Sequence, residues 1–244
     1  MTRRVVAITG AGGALGGSLS AHFAADPDTD LVLSDLSEAS LAAATDGLPA
    51  ESLETVLADV SDVAQVEAVV ARAVERFGRL DAFISNAGVL SPNGRIHNLS
   101  TQDWERAFHV NVLGAVNAIR AAVPVMRSQG GGSIVLTASV SGLTAWSHAA
   151  PYCATKAAVI QLARVAAVEY ARDHIRVNTV CPGTFRSAIH DELPERAIDA
   201  IASRHPLGLG TAEDLVGTYA HLVSDASRWT TGSAVVVDGG YSAP

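Results

Sequence analysis

The sequence predicts an α/β fold: one doubly wound parallel sheet of about seven strands with helices on both faces. Three observations predict it. Short β-branched apolar runs alternate with longer segments of helical character along the whole 244-residue chain. The links between them are short and carry Gly, Asn, Asp or Pro where one element must stop. A glycine-rich turn joins the first strand to the first helix, and an acid closes the second strand. No linker or change in composition divides the chain, so residues 1–244 read as a single domain.

Residues 5–9 form the first strand, closed by Gly10, and 15–25 the first helix. The second strand, 31–34, ends at Asp35. A helix over 37–46 is capped by Ser37 and stopped by Gly47. Residues 55–58 are the third strand, 61–77 a helix with Gly78 at its end, and 81–85 the fourth strand, before a turn-rich stretch over 86–98. A long helix over 101–128 opens at Ser100 or Thr101 and ends by Gly130. The strand 133–138 delivers Ser139 at its C-terminal end, where open α/β sheets bind their ligands. Pro151 opens the next helix. Strand 176–180 leads into a loop over 181–196, the first part of a substrate loop spanning about 182–205. A helix over 211–224 and a strand over 234–237 complete the chain.

Composition narrows the function. Hydrophobic residues make up 48% and charged residues 17%, which argues against disorder, and the net charge of −8 argues against a nucleic-acid or anionic-membrane partner. A small-molecule partner is expected. Cys153 and Cys181 make a poor disulfide framework, and the eight His are scattered singly, so no metal is expected. The N-terminal apolar stretch is too short for a signal sequence, and no run of about 18 apolar residues is read as a membrane span. The expected location is the cytoplasm.

One segment concentrates chemistry. Ser139, Tyr152 and Lys156 place a hydroxyl, a phenol and an ammonium within eighteen residues, and Tyr152 and Lys156 are one helical turn apart, on one face of the helix that Pro151 opens. Of the seventeen Lys and Arg, sixteen are Arg; the one Lys is Lys156. A compact ammonium is not interchangeable with a guanidinium where a point charge must fit. A phenol beside a cation is a proton donor or acceptor.

The glycine turn, residues 9–17, holds Gly10, Gly12, Gly13, Ala14, Leu15 and Gly16, and its backbone N–H groups with the helix dipole suit a pyrophosphate. Asp35, beside Leu36, lies nineteen residues past Gly16, where a carboxylate can accept from ribose hydroxyls and repel a 2′-phosphate. No Arg or Lys lies in the loop or directly after Asp35, so NAD is favoured over NADP.

Taken in order, the glycine turn, Asp59-Val60, Ser85-Asn86-Ala87-Gly88, Asn111, Ser139, Tyr152, Lys156, Pro182-Gly183 and the closing Val237-Asp238-Gly239-Gly240 resemble the short-chain dehydrogenase/reductase family in its shorter, single-domain form, nearly end to end. Two departures are Ala14 in place of the family's middle glycine and Ser85 in place of an Asn. The resemblance implies a Rossmann-type oxidoreductase with Asn111, Ser139, Tyr152 and Lys156 as catalytic residues. It implies that Asp59 and Val60 address the adenine, that Asn86, Ala87 and Gly88 wall the cofactor site, and that Pro182, Gly183 and Thr184 meet the nicotinamide end, with Ser187 competing for Thr184's role. Tyr152 and Lys156 also meet the cofactor, and Asn111 props a water that links Lys156 to a proton relay. His148, His190 and His205 are read as surface or loop residues, not catalytic ones.

An ammonium about 4 Å from a phenol, at an effective dielectric near 20, favours the phenolate by roughly 4 kcal/mol, or about three pKa units. On that reading Lys156 brings Tyr152 down toward working pH, and Tyr152 takes the proton of a secondary alcohol while hydride passes to NAD. Substrate-wall candidates are Ser139, Ser141, Leu143, Trp146, His148, Tyr152, Phe185 and Ile189, with Leu90 and Ile96 beside them; they suggest a hydrophobic or cyclic alcohol, ketone, diol or hydroxysteroid-like substrate. Arg95 and Arg186 are the only cations read as near enough for an anionic group. Two alternatives stay open: a non-catalytic NAD(H)-binding regulatory protein on the same fold, and a 3-oxoacyl carrier-protein reductase. The apolar outer faces of the helix at 101–128 and of the one after Pro151 suggest a homotetramer or homodimer.

Overall fold

The structure, a computed structural model, describes residues 3–187 and 195–243. Seven parallel strands form one sheet in the order 3-2-1-4-5-6-7: β1 (Arg4–Thr9), β2 (Thr29–Asp35), β3 (Leu53–Leu57), β4 (Ala82–Ser85), β5 (Gly132–Thr137), β6 (Ile175–Pro182) and β7 (Ala234–Val237). Strand alternation sends successive side chains to opposite faces. In β1, Val5 and Ala7 join the core beneath α3 (Val63–Phe77), α5 (Gly114–Ser128) and α6 (Ala150–Tyr170). Val6 and Ile8 join the core beneath α1 (Ala14–Ala24), α2 (Glu38–Thr45) and α8 (Glu213–Val223). Both faces are therefore buried, which is why the strands read as near-continuous apolar runs. Phe83, fully buried in β4, is one anchor; its loss to Ala would cost about 3–5 kcal/mol.

Several boundaries differ from the sequence reading because a neighbour's pairing extends a strand beyond its own apolar run. β2 begins at Thr29, opposite Arg4, with Asp30 held by an ion pair to Arg3 at 3.1 Å. β6 runs on to Pro182, opposite Val237. α3 starts at Val63, two residues later than read, because Asp62 caps it, accepting from the Ala64 N–H, and Gly78 ends it at φ +80°. The expected substrate loop contains a helix, α7 (Glu195–Ala202).

The long helix is continuous over 101–128 but changes winding: α4 (Thr101–Ala107), a π turn (Phe108–Leu113) around Asn111, then α5. A capping box starts it, with Ser100 Oγ accepting from the Asp103 N–H and Asp103 Oδ2 from the Ser100 N–H. By length and composition this helix is long and apolar enough to cross a membrane, though it holds no run of 18 apolar residues. Its apolar side, including Ala115, Ala118, Ile119, Ala122 and Met126, is packed into the core.

The strand order reverses between β1 and β4, and the C-terminal ends of those two strands part there. The glycine turn, Asn86 and Ser139 lie at that edge.

Candidate active site

Two adjoining cavities, of about 590 and 680 Å³, open along the C-terminal ends of the strands and share Gly13, Asn86, Gly88 and Val89. The glycine turn lies where they meet. Gly10 has φ +68°, and a Cβ there would come within 2.8 Å of the Ala87 Cα, so the first and fourth strand ends approach as only glycine allows. Gly16 is tighter still: an added Cβ would stand 2.0 Å from the Gly10 carbonyl oxygen. Gly13 precedes α1 with no side chain capping it, and no acid stands in the first turn, so the helix-end N–H groups and dipole face the first cavity's edge at Gly13, Ala14 and Leu15. Ala14 starts the helix, and its methyl lines the cavity without closing it.

Asn86 ties the switch point together. Its amide donates to the Gly10 carbonyl at 3.1 Å, and its Oδ1 accepts from Thr137 Oγ1 at 3.2 Å, which in turn pairs with the buried Tyr219 hydroxyl at 2.8 Å. Thr9 Oγ1 accepts from the Asn86 N–H at 3.2 Å. The second cavity is lined by Gly10, Asp35, Leu36, Asp59, Val60 and residues 86–89. Asp35 accepts from the Gly12 N–H through Oδ2 (2.9 Å) and from the Ser37 N–H through Oδ1 (3.1 Å), leaving each oxygen lone-pair capacity. Gly12 itself packs on Ser40 and does not line either cavity. Asp59 is turned to Ser61, accepting from its N–H and hydroxyl at 2.8 and 2.7 Å. Arg106 lines the same cavity from α4, a cation the sequence reading did not place there.

Ser139, Tyr152 and Lys156 share the wall of the first cavity. Gly142 makes this possible: it lies so close to α6 that a Cβ would stand 2.7 Å from the Lys156 carbonyl carbon. Lys156 is buried, and its ammonium donates to the Thr137 carbonyl at 2.8 Å, beside the Gly88 backbone. One of its three donors is thereby used. Burial pushes its pKa down to about 8, against a small opposing pull from Cys181. Burial also raises the Tyr152 phenol, and its hydrogen bond with the Ser139 hydroxyl only partly offsets that. This corrects the expectation that Lys156 draws Tyr152 down: the ammonium lies 5.6 Å from the ring centroid, and loss of hydration outweighs it in the protein without cofactor.

The Asn111 side chain is engaged, with Oδ1 accepting from the Val89 N–H (2.8 Å) and Nδ2 donating to the Val89 carbonyl (3.0 Å) and Thr155 Oγ1 (3.1 Å). It clamps the loop after β4 onto α6.

A family model described as enoyl-(acyl carrier protein) reductase matches residues 14–242. Levodione reductase of Leifsonia aquatica is 35% identical over 99% of this chain and 95% of its own. The chain belongs to the short-chain dehydrogenase/reductase family. The crystal structure of levodione reductase matches this member of the family with a TM-score of 0.90 at 34% identity, covering 100% of this chain and 99% of that one. Cyclohexanol dehydrogenase of an Acinetobacter strain is 34% identical over 98% and 95% of the two chains. An NADP-dependent mannitol dehydrogenase of Hypocrea jecorina is 40% identical over 75% and 69%. As a short-chain dehydrogenase/reductase, the protein is an oxidoreductase acting on CH–OH groups with a nicotinamide cofactor.

The two linked cavities fit such a dinucleotide: an uncapped helix end sits between them, and Asp35 stands at the far side of one. Pro182, Gly183, Thr184 and Ser187 all line the first cavity. Thr184 is held by its N–H, which donates to His205 Nε2 at 3.1 Å; the other ring nitrogen then donates to the Ile201 carbonyl at 3.0 Å. His205 is thus a buried loop residue, not a surface one. Trp146, Phe185 and Leu90 line the substrate end. Ser141 is buried away from it, Leu143, His148 and Ile96 are exposed outside it, and Ile189 and His190 lie outside the described residues. Sequence reasoning missed Thr137, Arg204 and Tyr241, all on the cavity wall. Only the family-like closing motif just before Tyr241 hinted at the last.

Proposed function

We propose that the protein is an NAD-dependent oxidoreductase interconverting a secondary alcohol and a ketone, on a hydrophobic or cyclic substrate, with Tyr152 as general acid and base. One observation carries the reading: the buried Lys156 ammonium keeps two free donors beside Tyr152, and Ser139 lies close enough to that phenol to pull its pKa down, all on one cavity wall. When bound, the nicotinamide supplies the acceptor or donor of the hydride. Ser139 holds the reacting oxygen. Tyr152 takes the hydroxyl proton in oxidation and returns it to the carbonyl oxygen in reduction. Lys156 holds the nicotinamide ribose through its spare donors and adds positive charge beside the phenolate that forms. Asn111 positions α6 against the loop after β4.

NAD is favoured by the Asp35 carboxylate at the end of β2. The relatives named for cyclic compounds support a ring-sized alcohol or ketone. The exposed Val165 and Val168 on α6, and Phe108 and Leu113 on the long helix, support a homotetramer or homodimer built on those faces; light scattering giving only a 25.1 kDa species would remove that part.

The deciding experiment is Tyr152→Phe. Turnover of a cyclic secondary alcohol, followed by NADH absorbance at alkaline pH, drops by about 10²–10⁴-fold, while NADH still binds by fluorescence. Near-normal turnover would refute the assignment.

A further inference from the structure

The wall of the first cavity beyond Tyr152 is aromatic and ends in a cation. The Trp146 ring stands 6.2 Å from Tyr152 and 6.2 Å, edge to face, from Tyr241. Tyr241 is supplied by the C-terminal turn, where the Asp238 carboxylate accepts from the Gly240 and Ser242 N–H groups at 2.9 and 2.8 Å and from the Ser242 hydroxyl at 2.6 Å. Against its ring, at 4.9 Å, lies the Arg204 guanidinium, whose Nη2 also donates to the Tyr241 hydroxyl at 2.6 Å.

Among the described residues no carboxylate pairs with Arg204 and no Asp or Glu lines this cavity, in a chain of net charge −8. The other cation on the wall, Lys156, is buried at the opposite end and bonded to Thr137. A guanidinium has five donors, so most of its fork remains for a ligand, and a planar fork stiffened on a phenol matches a carboxylate. A phosphate dianion would call for further donors that this end does not offer. Between the phenol of Tyr152 and the guanidinium lie two aromatic faces, suited to an apolar, ring-sized body.

We propose that Arg204, held on Tyr241, is the anion-binding end of the substrate cavity, and that the preferred substrate is a secondary alcohol or its ketone whose apolar, ring-sized body separates the reacting carbon from a carboxylate. This rests on the oxidoreductase reading above.

The test compares 4-hydroxycyclohexanecarboxylate with its carboxamide, which has the same shape and no charge, using the full-length protein and NAD. The acid is preferred in kcat/KM by about 10- to 100-fold, the range for a charge-assisted hydrogen bond, and the preference lies in KM. Arg204→Gln removes most of that ratio, and Arg204→Lys, with charge but no fork, restores part of it. Equal kcat/KM for acid and amide, or a ratio that persists in Arg204→Gln, overturns the subsite. If neither alcohol is turned over, the oxidoreductase reading is what fails, and calorimetry of cyclohexanecarboxylate against cyclohexanecarboxamide on the NADH-bound protein then decides the subsite alone. Tighter binding of the acid that depends on Arg204 upholds it; equal binding overturns it.

Discussion

The Lys156 ammonium lies 5.6 Å from the centroid of the Tyr152 ring and is bonded not to the phenol but to the Thr137 carbonyl at 2.8 Å. Both groups are held in their neutral forms more than they would be in water, because burial raises the pKa of the phenol and lowers that of the ammonium.

The first consequence concerns pH and rate. With the phenol pKa raised, the base form of Tyr152 is scarce at neutral pH and grows tenfold per unit, so kcat/KM for alcohol oxidation rises with pH with a slope near one. Ketone reduction needs the phenol itself and stays flat below about pH 8, where Lys156 keeps its proton. Ser139→Ala removes the hydrogen bond that lowers the phenol pKa and moves the rise to higher pH. A profile of NADH formation at low substrate from pH 6 to about 10 checks this; a plateau at neutral pH would contradict it.

The second concerns stability. The folded protein gives up the Lys156 proton at about pH 8, whereas the unfolded chain keeps it until its ordinary 10.5. Between those values the unfolded state binds more protons, so the penalty for burying the charge is full below about 8 and is relieved as pH rises toward 10.5. Lys156→Met has no such proton to lose. In urea titrations without cofactor, any stability advantage of Lys156→Met over the parent at pH 7 shrinks by roughly 2 kcal/mol at pH 9.5. A constant difference would mean Lys156 titrates normally.

Cofactor choice follows from Asp35. Its carboxylate organises the Gly12 and Ser37 N–H groups and adds negative charge to the second cavity. Asp35→Ser raises KM for NAD and lowers it for NADP, each by about tenfold, the size of one charged hydrogen bond gained or lost. Arg106, on the wall of the same cavity, becomes the attractive group for the 2′-phosphate once the acid is gone. Unchanged selectivity in steady-state kinetics would take Asp35 out of the ribose site.

The glycine turn separates two roles. At Gly16 an added methyl meets the Gly10 carbonyl oxygen at 2.0 Å, so Gly16→Ala must push the loop apart, costing about 1–3 kcal/mol and the binding of NADH. At Gly13 the nearest atom to a Cβ is 3.5 Å away, so Gly13→Ala folds with near-normal stability. Thermal melts and NADH fluorescence on the two variants, side by side, give the answer.

Much of the fold was legible in local pattern. Alternating apolar runs, Gly78 at a helix end, the turn after Thr9 and the spacing of Tyr152 and Lys156 depend on neighbours within a few residues, and all lie in the structure at or near where the sequence puts them. The shared cavity of Ser139, Tyr152 and Lys156 was legible too, because a strand end and the helix after it must meet at the sheet's edge. Asn111 was legible as unusual, but not its partner Val89, twenty-two positions earlier.

The sequence by itself thus determined the order of the elements, the dinucleotide-type turn and the placing of Tyr152 one helical turn before Lys156, since those are written in periodicity and short spacing. Only the tertiary structure decided that Thr137 takes the Lys156 proton donor, that Trp146, Tyr241 and Arg204 build one wall, and that Tyr152 is pushed up, not down. The physical reason is that desolvation and convergence are sums over groups tens of residues apart, brought together when the sheet packs and water leaves.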